Sequence, residues 1–224
     1  MEQIRVVLGE DHALVREGTR RIIEEAEDFT VVGEAGDGSQ VLALIEELRP
    51  DVAVLDIRIP KLSGIDVVRR MRERSPATRA LMLTAYDDDE FILAALDAGA
   101  AGYLLKTARA VELLDAIRRV HAGEPVLQAA IATKVARLWL RRPGVRADLT
   151  EPLSPREHEV LELAGSGLRN RVIADRLGIS SRTVEGHFNT ILGKLGDTSR
   201  LEAVLYALSK GWVTIDHEQP PGVA

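Results

Sequence analysis

The sequence predicts an α/β chain: a doubly wound, five-stranded parallel sheet followed by a small all-α helix-turn-helix domain. Three observations predict it. Short apolar runs alternate with amphipathic segments throughout the first 122 residues, as in βα units that close a parallel sheet covered by helices on both faces. Four of those runs end on polar residues able to do chemistry, and in such sheets ligands bind outside the carboxyl ends of the strands. Beyond residue 150 the strand-like runs stop, and short helical segments separated by glycine turns take over.

The elements follow in order. Ile4 to Leu8 reads as the first strand, and Leu14, Ile22, Ile23 and Ala26 mark the first helix. Thr30 to Ala35 makes the second strand, with Val41, Leu42, Leu44, Ile45 and Leu48 on the second helix. Val52 to Leu55 is the third strand, and Ile65, Val67, Val68 and Met71 continue a third helix. Ala80 to Leu83, Phe91 to Ala98 and Ala101 to Leu105 give a strand, a helix and the fifth strand; a last helix runs from Arg109 to Ala122. Continuous apolar strands of this kind are buried on both faces. Gly123, Pro125, Pro143 and Gly144 punctuate residues 123–150, with a helix expected from Ala129 to Leu140.

Composition narrows the function. A length of 224 residues suits two domains. The absence of cysteine excludes disulfides, thiolate zinc sites and thiol nucleophiles, and fits a reducing, cytoplasmic setting. Glu2, Arg5, Glu10 and Asp11 surround a very short apolar run at the N-terminus, unlike a signal peptide. The apolar stretch Phe91 to Leu105 is broken by Asp97, Gly99 and Gly102 and is too short to span a bilayer, so no membrane partner is expected. Residues 1–124 carry 16 lysines and arginines against 24 acids, whereas residues 125–147 carry five basic residues and no acid. An anionic partner is therefore expected for the second half only, although a solvated helix face explains the charge equally well.

The polar strand ends are Glu10 and Asp11, Asp56, Thr84 and Lys106. Three acids, a hydroxyl and an ammonium on one rim suit a divalent metal and a phosphoryl group. Together with Ile57-Arg58-Ile59-Pro60, Gly64 and the run Gly99 to Lys106, these residues resemble a response-regulator receiver domain with a flavodoxin-like sheet, over roughly residues 3–122. The resemblance implies that Asp56 is the phosphoacceptor, attacking as a carboxylate nucleophile. It implies Mg²⁺ held by Asp11, Asp56 and the Arg58 backbone carbonyl, with Glu10 acting through water. Lys106 and Thr84 would bind the phosphoryl oxygens. Tyr103, by default half-buried packing, would be the switch residue, turning inward as Thr84 is drawn to the phosphate. Asp87, Asp88 and Asp89 read as favourable charge opening a helix, Glu24, Glu25, Glu27 and Asp28 as a solvated face, and His12 as a bystander. Many receivers have proline after the strand-5 lysine; this chain has Thr107, where a cis bond would cost about 2.5 to 4 kcal/mol.

In the second half, Ser154 is an N-cap, Pro155 sits at the first helical position, and Glu157 completes a capping box. A short helix carries Val172, Ile173, Ala174 and Leu177; Gly178-Ile179-Ser180 turns the chain; a third helix runs from Ser181 to Leu195, stopped by Gly196. Ser199 and Glu202 cap a fourth, Arg200 to Lys210, stopped by Gly211. Two short helices joined by a glycine turn are a helix-turn-helix. With Thr183-Val184, His187, Ile191-Leu192 and Lys194-Leu195-Gly196, the pattern resembles the LuxR-type DNA-binding domain, and the whole chain a response regulator of the NarL/FixJ type. Val184, Phe188, Ile191, Leu192 and Leu195 share one face and should pack inward. The resemblance implies that Glu185, Gly186 and Asn189 face bases in the major groove, while Arg182, Thr183, His187 and Lys194 touch phosphates. Glu185 stands where many relatives have lysine, and Gly186 costs the helix about 1 kcal/mol against alanine.

The expected organisation is a receiver over 1–122, a linker with a helix over 123–150, the helix-turn-helix domain over 151–213 and a flexible tail over 214–224. The expected function is a transcriptional regulator, not an enzyme. A sensor histidine kinase phosphorylates Asp56, the protein dimerises, and a double-stranded DNA operator is bound. An aspartyl-phosphate hydrolase would want a carboxylate two residues after the nucleophile, where this chain has Arg58. A DNA binder whose receiver serves only for dimerisation, without phosphorylation, is the alternative.

Overall fold

A computed structural model of the chain describes residues 3–128, 131, 132, 134, 135, 138, 152–165, 168–195, 200–209 and 212. It divides into two compact units, Met1–Val135 and Ala136–Ala224.

In the first unit, strands β1 (Ile4–Gly9), β2 (Phe29–Ala35), β3 (Val52–Leu55), β4 (Arg79–Thr84), β5 (Gly102–Leu105) and β6 (Val126–Leu127) form one sheet in the order β2-β1-β3-β4-β5-β6. Every neighbouring pair is parallel. Helices α1 (Ala13–Glu24), α2 (Gly38–Leu48), α3 (Gly64–Arg74), α4 (Asp89–Ala98) and α5 (Ala110–His121) connect the first five strands and follow β5. Period-2 alternation sorts the strand residues. Val6, Leu8, Val52, Val54, Leu81, Leu83 and Leu104 form one core with Ile23 of α1 and Leu113, Ala116, Ile117 and Val120 of α5. On the other face α2 packs against β1 and β2 and touches α3, which touches α4.

The sheet has six strands rather than the expected five. Val126 and Leu127 add to the β5 edge opposite Gly102 and Tyr103, and Ile131 and Val135 are buried beyond them. The first compact unit therefore runs past residue 122 into the expected linker. Residues 131, 132, 134, 135 and 138 are helical. Most of the expected Ala129 to Leu140 helix, the basic residues Arg137, Arg141, Arg142 and Arg146, and the tail lie outside the described residues.

The second unit contains α6 (Pro155–Gly165), α7 (Asn170–Leu177), α8 (Ser181–Lys194) and α9 (Arg200–Ser209). The capping box forms: Ser154 N donates to Glu157 Oε2 at 2.6 Å and Glu157 N to Ser154 Oγ at 3.3 Å. Gly178 ends α7 with φ +63°, a left-handed conformation suited to glycine, and Ser180 caps α8 by accepting from Thr183 N at 3.0 Å. Val160, Leu161, Ile173, Val184, Phe188 and Ile191 are the heart of its core. Gly196, Ser199, Lys210 and Gly211 lie outside the described residues, as does the side chain of Glu202.

Candidate functional site

Strand order reverses around β1, which lies between β2 and β3. A crevice opens at such a switch point, outside the carboxyl ends of the strands. Glu10 and Asp11 follow β1 and Asp56 follows β3, so the topology delivers all three acids to that crevice. Backbone bonds fix the meeting: Asp56 N donates to Gly9 O at 2.8 Å, and Glu10 N to Ala35 O at 3.1 Å. Thr84 ends β4 and Lys106 follows β5, joined by a 2.8 Å bond from Lys106 N to Thr84 O.

The Lys106 ammonium donates to Asp56 Oδ2 at 2.7 Å and lies 2.6 Å from Glu10 Oε2. Glu10 and Asp56 are 3% and 4% exposed, so two buried carboxylates share one partly buried cation. Burial opposes the ammonium's charge, but the bonds to Asp56 and Glu10 outweigh it and hold the Lys106 pKa above its ordinary value. Asp56 Oδ1 accepts from Ile57 N at 2.6 Å. Gly64 lies where any Cβ would stand 2.0 Å from Asp56 O, so the chain behind the acid must be bare.

Glu10, Asp11 and His12 place ligand atoms within 4.8 Å of one another. His12 Nδ1 is 3.1 Å from Glu10 Oε1 and 2.9 Å from Asp11 Oδ1. The second approach lacks hydrogen-bond geometry, which leaves the buried Asp11 Oδ1 without a hydrogen-bond partner. An orphaned carboxylate oxygen among hard oxygen donors fits a divalent cation.

Thr84 is fully buried, and its hydroxyl accepts from Tyr86 N at 3.4 Å. Tyr103 is also fully buried rather than half-buried, because β5 alternation turns it into the core and its hydroxyl finds the Tyr86 carbonyl at 2.7 Å. Burial, reinforced by Asp87, Asp88 and Asp56, raises its pKa well above the ordinary tyrosine value. Among the described residues every peptide bond is trans, including Lys106–Thr107.

Some contacts around the site were not anticipated from the sequence. The Arg58 guanidinium lies 4.5 Å from the Tyr86 ring centroid and 5.5 Å from that of Phe91. Asp37 caps α2 through Ser39 N and Gln40 N and binds Lys61 Nζ at 2.8 Å, tying α2 to the loop after Asp56. Asp87, expected as helix-opening charge, instead precedes α4 by two residues and pairs with Lys134 at 2.6 Å. Only the cap in Asp37-Gly38 was legible locally; the other partners are distant in sequence.

In the second unit, α8 presents Arg182, Thr183, Glu185, Gly186 and Asn189 to solvent, with His187 partly buried. Val184, Phe188, Ile191 and Leu195 are buried on the opposite face, and Leu192 partly so. A Cβ on Gly186 would meet nothing within 4 Å, so the protein's own packing does not require glycine there. Lys194, at the end of α8, is engaged within the domain. Its ammonium is bound to Glu157 Oε2 at 2.8 Å and Pro152 O at 3.2 Å, because the end of α8 packs beside the capping box of α6.

Comparisons with known proteins agree with this geometry. Residues 6–118 match the response regulator receiver domain, and residues 151–207 the bacterial regulatory proteins of the luxR family. The uncharacterised transcriptional regulatory protein YxjL of Bacillus subtilis is 39% identical over 95% of this chain and 98% of its own length. The nitrate/nitrite response regulator NarL of Escherichia coli K12 is 37% identical over 92% of this chain and 95% of its own. A solved structure of two RcsB dimers bound to two parallel DNAs shares 25% identity with TM-score 0.55, covering 93% of this chain and 98% of that one.

Proposed function

Since the chain belongs to the LuxR-family response regulators, DNA-binding proteins with a receiver domain, we propose that Asp56 is its phosphoacceptor and that phosphorylation promotes dimerisation and operator binding. The single observation that carries this is the partly buried Lys106 ammonium bridging the buried Asp56 and Glu10 carboxylates at a sheet switch point.

Asp56 attacks the phosphorus of a phosphohistidine on a sensor kinase. The new P–O bond forms as the P–N bond breaks, and the leaving imidazole keeps the electron pair and takes a proton. Glu10, Asp11, Asp56 and the Arg58 carbonyl would hold Mg²⁺, which when bound offsets repulsion between the attacking carboxylate and the anionic donor. Lys106 needs only to turn from the carboxylates toward the phosphoryl oxygens, and Thr84 to turn its hydroxyl toward them. Tyr103 already points inward, so the motion falls on the loop after Thr84. The added charge then shifts a pre-existing equilibrium of that surface.

Two α8 helices, paired by dimerisation, enter adjacent major grooves. Asn189 suits an adenine edge and Glu185 a cytosine amino group, while Arg182, Thr183, His187 and Lys194 meet phosphates. The dimers on DNA in the RcsB structure support this reading. A receiver over 1–122 with the start of the linker packed on its sheet, a DNA-binding domain over 151–213 and a cytoplasmic location belong to the same proposal; among the described residues no helix is long and apolar enough to cross a membrane.

The test is incubation with Mg²⁺ and acetyl phosphate, followed by mass spectrometry. A base-labile adduct on Asp56, absent from Asp56→Ala and required for tight DNA binding, is expected. DNA binding that ignores the donor in both proteins would favour the phosphorylation-independent alternative.

A further inference from the structure

The segment that leaves the receiver is tied to the loop that carries Thr84. Val126 and Leu127 pair with Gly102 and Tyr103. Leu105 N, one residue before Lys106, donates to Gln128 Oε1 at 3.3 Å. Ile131 and Val135 are fully buried. Lys134 completes the tie, its ammonium donating to the Asp87 carbonyl oxygen and to Asp87 Oδ2, each at 2.6 Å. That interaction holds the Asp87 carboxyl below its ordinary pKa. Asp87 follows Tyr86, whose N–H reaches the Thr84 hydroxyl and whose carbonyl accepts from Tyr103.

We propose that Lys134 is a positioning residue for the phosphoryl-binding loop, and that the strap from Val126 to Val135 thereby passes the state of Asp56 to the chain beyond. The inference rests on Asp56 being the phosphoacceptor. The Thr84 hydroxyl can donate to a phosphoryl oxygen while still accepting from Tyr86 N, so drawing it toward the phosphate pulls the Tyr86 N–H with it, and the backbone through Asp87 follows. Tyr103 cannot absorb that motion by swinging inward, because it is already inside and bonded. The displacement falls on Lys134 and Asp87, whose side chains are 34% and 58% exposed, the least buried link in the tie. Exposed ion pairs are individually weak, so this link yields before the buried Ile131 and Val135. Coupling is reciprocal. If phosphorylation loosens the strap, a strap already loosened must favour phosphorylation.

The experiment is hydrogen exchange on the full chain with Mg²⁺, with and without acetyl phosphate, on wild type, Lys134→Met and Lys134→Arg. Intact mass reports the Asp56 adduct separately. We expect backbone amides from Val126 to Val135 to exchange about tenfold faster in the phosphorylated wild type. Lys134→Met should show that exchange without donor and reach a several-fold higher ratio of adduct to free protein at a fixed ratio of acetyl phosphate to acetate, with its unfolding midpoint near wild type. Lys134→Arg should restore both properties. Unchanged or slowed exchange in a chain that carries the adduct overturns the strap inference. Failure of wild type to form any adduct overturns the Asp56 reading beneath it.

Discussion

Replacing Lys106 with methionine keeps the length of the side chain and removes the cation between two buried carboxylates. Glu10 Oε2 and Asp56 Oδ2 lie 2.6 and 2.7 Å from the same nitrogen, so they are at most about 5.3 Å apart. Two unit charges at that distance repel by about 3 kcal/mol at an effective dielectric constant near 20. Lys106 offsets that repulsion, and removing one partner of such an ion pair costs about 3 kcal/mol or more, so Lys106→Met should lose about 3 kcal/mol in the first unit, on the order of 10 °C in Tm. Mg²⁺, if held by these acids as proposed, would supply positive charge beside the same carboxylates, so it should stabilise the variant more than the wild type. The assay is thermal unfolding by circular dichroism in EDTA and in saturating Mg²⁺. A variant within about 1 kcal/mol of wild type in EDTA, or with no larger response to Mg²⁺, would refute the reasoning about this triad.

Further outcomes follow from single residues. Gly186→Ala should stabilise the second unit by about 1 kcal/mol, since the position is open and alanine favours the helix; if α8 lies against DNA as proposed, binding to sequences selected from a random pool should weaken in gel-shift titrations. Gly64→Ala should cost about 3 kcal/mol in urea unfolding and slow phosphorylation, because its Cβ would meet Asp56 O at 2.0 Å. Burial pushes the Glu157 carboxyl up, but donation from Lys194 and Ser154 outweighs it, leaving the pKa below its ordinary 4.5. Its stabilising contribution is thus present above pH 4.5 and lost as pH falls through the lower folded value. Tryptophan fluorescence of Glu157→Gln should accordingly show a flatter acid limb than wild type.

How much of this was legible in the sequence differs by element. Strands such as Val52–Leu55 announce themselves because a strand buried on both faces must be apolar throughout, and the acid at its end stands out. The α6 cap was legible because Ser154 and Glu157 are three residues apart, within reach of local geometry. β6 was not, because two residues carry no period. Lys134 and Asp87 are 47 positions apart and ordinary surface residues by themselves, so nothing local announces their bond. The bond from Lys194 to Glu157 was likewise hidden, because the two residues are 37 positions apart and meet only when α6 folds beside α8.

The sequence by itself determined the two-part architecture, the order of strands and helices, and the set of rim residues, since periodicity, caps and polar strand ends are properties of neighbours along the chain. The tertiary structure alone decided which groups touch: Lys106 on Asp56 and Glu10, Tyr103 already turned inward, Asp87 held by Lys134, Lys194 turned to a cap. Those choices depend on which surfaces meet when helices and strands pack, and each polar group settles on whichever partner that packing brings within hydrogen-bond reach.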